Sequence, residues 1–237
     1  MNKIKYFGAI FLAVLFFASS GDAQQSFQSS LNFSLGFPQS EFKNNVDSIG
    51  LGGTGHFAYN FPRSSIAVGA RFGILVYGRE SRTESFSTQT LDFDVDEVTT
   101  NMILMCHFLL RVQPQKGIIR PYLDGLIGFN YIWTTTSVKS YRYGESHNLA
   151  ISNIQNDLVL SWGTGGGVMI QVYSKKRKKR RNPFVIYIDL GAHYLWSKEA
   201  EYMKEGSIRQ EDNQVLYDIY KSTTDLLTGH IGVTFAF

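Results

Sequence analysis

Six side chains in this 237-residue chain have the chemistry of a functional cluster: His56, Arg71, His107, Asp124, Asp189 and His230. Each lies on the polar side of a stretch in which apolar and polar residues alternate, about five to seven residues from one end of that stretch. Two histidines and an aspartate could hold a metal ion, but the six are scattered along the chain, with no HxxxH or CxxC pair. A hydrogen-bonded, ion-paired polar layer asks less of them: Arg71 neutralises one or both aspartates, and the imidazoles satisfy what remains. Nucleophilic chemistry needs a hydroxyl, a base and an orienting carboxylate. Glu145, Ser146 and His147 are mere sequence neighbours in a polar segment, and His193 and Ser197 share the polar parity of their stretch. The glycine run 163–167 (GTGGG) precedes no helix, so it is no phosphate loop, and Cys106 falls on an apolar face between Leu104 and Phe108. Neither a cofactor nor a catalytic centre is indicated.

Composition limits what can position these groups. Charged residues make up only 18%, Pro is scarce (5), and Gly (22), Phe (18) and Tyr (13) are plentiful, which suits β-structure better than helix. Of the formal +3, residues 1–23 contribute +1 and the run Lys175, Lys176, Arg177, Lys178, Lys179, Arg180, Arg181 contributes +7, leaving −5 on the rest. Basicity confined to one run argues against a nucleic-acid-binding face, and no nucleic-acid partner is expected. The start of the chain carries Lys3 and Lys5, an apolar stretch from Phe7 to Ala18, and small residues before a cut after Ala23, the pattern of a cleaved secretory signal peptide over 1–23. Cys106 is the only cysteine, so no disulfide staples the exported chain.

Period-two alternation recurs eight times, over about 26–37, 48–61, 65–78, 97–112, 119–134, 158–173, 183–197 and 226–237. In the third stretch Ile66, Val68, Ala70, Phe72, Ile74 and Val76 share one face, and Ser65, Gly69, Arg71 and Gly73 the other. A soluble sandwich would also alternate, but it could not bury Arg71, His107, Asp124, Asp189 and His230 in an apolar core. Aromatics cluster near the strand ends, as with Tyr59, Phe61, Tyr131, Trp133, Tyr194 and Trp196. Connections alternate short (62–64, 113–118, 174–182) and long (38–47, 79–96, 135–157, 198–225). These features predict one domain, 24–237, folded as an all-β, eight-stranded antiparallel transmembrane up-and-down β-barrel in the outer membrane, with short periplasmic turns and long extracellular loops. Such a barrel is filled by its own side chains, which disfavours a conducting pore.

The final segment, His230-x-Gly232-x-x-Phe235-x-Phe237, resembles the C-terminal signal of outer-membrane proteins, which implies recognition by the barrel assembly machinery. More widely, "GLGGTGHFAYNF", "HYLWSKEAEYMKEGSI" and "STTDLLTGHIGVTFAF" resemble the small outer-membrane β-barrel domain proteins of the Bacteroidota type, architectural relatives of the OmpX and OmpA transmembrane domains. The resemblance implies a fold and transfers no catalytic residues. Some barrels of this size modify lipid A by acyl transfer or deacylation, which would need Ser and His facing lipid; His193 and Ser197 point inward by parity. The expected function is therefore a structural or interaction role, with binding through the loops and lipids of the outer membrane as surroundings. The alternatives are a lipid A-modifying enzyme and a small binding or transport module. Residues 84–96 can extend their strands beyond the membrane and offer edges to partner strands. The Lys175–Arg181 run is expected to be a solvated periplasmic turn, or to touch anionic headgroups or the cell-wall polymer.

Overall fold

The computed structural model describes residues 26–88, 91–142, 145–175, 184–204, 207–211 and 214–237; the expected leader, 1–23, lies outside them. Eight antiparallel strands close on themselves: β1 (Phe27–Pro38), β2 (Gly50–Asn60), β3 (Ile66–Thr88), β4 (Leu91–Val112), β5 (Ile119–Arg142), β6 (Glu145–Lys175), β7 (Phe184–Ser197) and, after four short strands, β12 (Leu226–Ala236). Each pairs with its sequence neighbour in the barrel, and β12 returns to β1. The seam is completed by two 3.0 Å backbone hydrogen bonds between Phe27 and Phe237, whose rings also stack.

Closure leaves no edge around the wall, and the pleat then sends alternate side chains in and out. Outside stand the apolar residues: Leu31 is 75% exposed and Ile127 64%, with Phe33, Phe57, Phe72, Phe108 and Leu160 among many like them. Inside stand the polar ones, including His56, Arg71, His107, Arg111, Asp124, Asp189 and His193, all buried. An apolar exterior around a polar interior reverses the distribution of a soluble protein and matches a wall whose solvent is hydrocarbon. Aromatic pairs mark both margins of the apolar band. Tyr131–Trp133 and Tyr194–Trp196 stand toward the long connections, and Phe27, Tyr59, Phe61 and Phe237 toward the short ones.

The strands are unequal. β1, β2, β7 and β12 have 11 to 14 residues, close to the roughly 9–11 that cross a bilayer, whereas β3 to β6 have 22 to 31. Pairing of β2 with β3 stops at Leu51↔Val76, yet β3 and β4 stay paired to Thr88↔Leu91 and β5 and β6 to Arg142↔Glu145. The four therefore continue past the rim as a blade. The sequence-based strand ends at residues 78 and 134 fall short because hydrophobic alternation fades there, while backbone pairing does not depend on it.

The first and last long connections fold over the barrel mouth. The first contains a short helix, α1 (Ser40–Asn45), and the last contains strands β8 (Glu199–Tyr202), β9 (Ile208–Glu211), β10 (Gln214–Tyr217) and β11 (Tyr220–Thr223), paired β8 with β11 and β9 with β10. Phe42 of α1 packs edge-on against Tyr77 and Tyr202, with ring centroids 5.5 and 5.1 Å apart, above Leu75, Ile103, Leu195 and Leu226. Asp225 pins the arrangement: its carboxylate accepts from the Ser40 hydroxyl (2.9 Å) and the Ser197 amide (3.0 Å). This apolar cap lies over the polar interior.

Candidate functional site

The barrel interior is organised around the two aspartates. Asp124 on β5 faces Arg111 on β4, its direct cross-strand neighbour, and the guanidinium fork grips the carboxylate at 2.7 Å (Nε to Oδ1) and 2.8 Å (Nη2 to Oδ2). His193 on β7 reaches the same carboxylate at 2.8 Å. It does so across β6, where the residue registered between them is Gly165, and a Cβ there would collide with the His193 ring. Asp189, fully buried, accepts from Tyr122 (2.8 Å) and Thr234 (3.0 Å) and lies 3.7 Å from His230.

Tyr122 joins the two halves. Its hydroxyl donates to Asp189 and lies 3.2 Å from His230 Nε2, while its ring carries the Arg111 guanidinium 3.9 Å above the centroid. Tyr122 and His230 are registered three strands apart, with Gly167 and Gly191 between them. A side chain at either glycine would enter the space of the Tyr122 hydroxyl. The glycine-rich segment of β6 and Gly191 of β7 thus clear the lumen for long polar side chains. The His193 and His230 rings stack at 5.3 Å.

The six residues singled out by sequence all face the lumen, but they do not form one cluster. Asp124 and Asp189 are linked through Arg111 and Tyr122, with His230 beside Asp189. His56 attaches at the edge: Arg111 donates to its Nε2 at 3.2 Å, so Nδ1 carries the hydrogen shared with Ser30 Oγ at 2.6 Å. Arg71 stands in register between His56 on β2 and His107 on β4. Arg71 hydrogen-bonds to Thr54 at 3.3 Å and, although Asp124 and Asp189 lie within its electrostatic reach, forms no direct ion pair with either, which corrects the expectation only in that Arg71 is not their bonded partner. That role belongs to Arg111, whose parity on β4 is inward but whose place beside a turn is, in sequence, that of a solvated end charge. Among the described residues, no group of three or more His, Cys, Asp or Glu is arranged to hold a metal ion.

The other singled-out residues are placed as follows. His193 and Ser197 are buried inside, bound to Asp124 and Asn130, and do not face lipid. On β12, Gly232 abuts Asn32 and Leu31 of β1, Phe235 stacks on Phe184, and Phe237 on Phe27. Lys175 ends β6 opposite Phe184, and residues 176–181 lie outside the described residues.

A closed eight-stranded wall with an apolar outside, a charged inside and unequal ends defines the class: this is a β-barrel of the outer-membrane type. No family model matches the chain, and no curated protein does. Among solved structures it is similar to neisserial surface protein A (TM-score 0.35, 10% identity, covering 92% of this chain and 98% of that one). It is similar also to Ail, the attachment invasion locus protein of Yersinia pestis, solved with the heparin analogue sucrose octasulfate (0.36, 15%, 92% and 100%). A third is a major outer membrane protein from Thermus thermophilus (0.37, 12%, 89% and 99%).

Proposed function

We propose that this protein is a non-enzymatic interaction protein of the outer membrane, whose sealed barrel holds a four-stranded blade outside the cell for pairing with a partner protein. One observation carries the reading. Above Val76 no described strand pairs with the outer side of β3, so residues 81–88 present a row of backbone donors and acceptors. An edge of that kind takes an added strand through main-chain hydrogen bonds, and proteins that do not use such an edge cover or break it. The lumen supports the same reading: it is filled with ion pairs and capped by Phe42 and Tyr202, which suits a rigid mount better than a channel.

Export through the 1–23 leader and insertion guided by His230, Gly232, Phe235 and Phe237 belong to this proposal, as do contacts of the Lys175–Arg181 run with anionic headgroups or the cell wall. The lipid A-modifying alternative draws no support from His193 and Ser197, both committed inside the barrel.

The test removes the β3–β4 half of the blade, which carries the open β3 edge, and keeps the barrel. Residues 79–98 are replaced by an Asn-Gly turn, and cross-linking on intact cells compares the proteins captured by the two forms. Loss of a specific cross-linked protein with the heat-resistant barrel retained supports the reading. An unchanged cross-linking pattern, or a changed lipid A profile in a strain lacking the protein, overturns it.

A further inference from the structure

Where the cap meets the root of the blade, the structure holds a cleft of about 250 Å³ lined by Asn45, Asp47, Ser48, Tyr77, Asn101 and Lys204, with Val46 at its margin. A β-bulge shapes its floor. The register of β3 on β4 slips between Val76 and Gly78, so Tyr77 is the extra residue, and its side chain turns into the mouth beside Asn101.

The hydrogen bonds these side chains already make show what they have left. Asn101, 1% exposed, accepts from Thr134 at 2.7 Å through Oδ1, which leaves its amide nitrogen as a donor. Asn45 donates to Tyr202 at 2.9 Å, which leaves its Oδ1 as an acceptor. Tyr77 donates to the Met203 carbonyl at 3.2 Å, leaving lone pairs on its oxygen. The Lys204 ammonium lies 4.2 Å from the centre of the Tyr220 ring and keeps hydrogens to donate. The exposed Asp47 carboxylate makes no hydrogen bond or ion pair among the described residues.

We propose that this cleft binds a compact polyhydroxylated ligand, one or two sugar rings in size. The volume is below the roughly 300–1,000 Å³ of pockets for larger ligands, and almost every lining group is polar. Acceptors outnumber donors, and adjacent ring hydroxyls supply both: each donates once and accepts at the same oxygen. An acyl chain would leave the buried Asn101 amide unpaired, which is costly. An anion would confront Asp47, and a zwitterion would have to draw the Lys204 ammonium off the Tyr220 face. The inference is independent of strand pairing at the blade edge.

The full barrel, isotopically labelled and refolded in detergent micelles, is titrated separately with glucose, galactose, N-acetylglucosamine, glycine and inorganic phosphate, following amide and Asn side-chain resonances. At least one sugar is expected to give saturable shifts at residues 46–48 and at the Asn101 side chain. Asp47→Ala, at an exposed position with no bonds to lose, is expected to keep the barrel folded and weaken that sugar at least about tenfold. Three outcomes overturn the proposal: no sugar shifts these resonances, only glycine or phosphate saturates them, or Asp47→Ala binds as well as the parent. Sugar shifts that persist after blade replacement, alongside loss of the cross-linked protein, separate this site from the one at the edge.

Discussion

Arg111 and Asp124 face each other across β4 and β5 with both side chains fully buried, joined by two hydrogen bonds of 2.7 and 2.8 Å. A bidentate pair removed from water is costly to break, because the remaining charge keeps only an imidazole hydrogen bond, from His193 to Asp124 or from Arg111 to His56, in place of an opposite charge held by two bonds.

Arg111→Met is therefore expected to destabilise the folded barrel by about 3–5 kcal/mol, and Asp124→Leu by a similar amount. The double variant should lose less than the sum, since it strands no charge. Urea unfolding of the refolded barrel in micelles, followed by gel mobility before and after heating, checks all three. Additive losses would show that the two side chains do not act as a pair.

Gly191→Ala places a methyl group against the Tyr122 hydroxyl and the His230 ring, and Gly167→Ala places one against the Leu190 carbonyl oxygen as well as the Tyr122 hydroxyl. Each is expected to cost about 1–3 kcal/mol, the usual range for overpacking, as Tyr122 is pushed off Asp189 and His230. Gly229→Ala is the matched control, because a Cβ there meets nothing within 4 Å. Its midpoint in the same unfolding assay should stay within about 0.5 kcal/mol of the parent.

The wall itself is tested from outside. Leu31 and Ile127 project from the barrel, 75% and 64% exposed, and in a water-soluble protein a charge at either site would be nearly neutral. In a bilayer, Ile127→Arg should cost about 2–4 kcal/mol near the midplane and less toward the rim. Folding into liposomes of defined thickness measures this, and a tolerance of arginine at both sites would mean that lipid does not surround this face.

Phe42→Ala should act locally. The ring packs against Tyr77 and Tyr202, so its loss loosens the cap without touching the Arg111–Asp124 layer. Limited proteolysis is expected to cut within 198–225 faster, while the barrel keeps its heat resistance. Equal loss of both would show that cap and barrel unfold as one unit.

The sequence by itself determined the eight alternating stretches, and with them which side chains share a face. Once a wall closes, parity alone assigns His56, Arg71, His107, Asp124, Asp189 and His230 to the lumen. It also disclosed the alternation of short and long connections. Parity does not carry height: the stagger of a tilted strand on its neighbour decides which inward residues meet, and that is a property of pairing. Register places Arg111, and not Arg71, opposite Asp124, and sets the glycines of β6 and β7 between Asp124 and His193 and between Tyr122 and His230. The strand extension over 84–96 was legible in the sequence, but only the tertiary structure decided the full four-stranded blade and the cap. Polar strand tips are held by backbone hydrogen bonds that leave little trace in side-chain pattern, and Phe42 and Tyr202, some 160 residues apart in the chain, meet only because closure brings the first and last long connections to the same mouth.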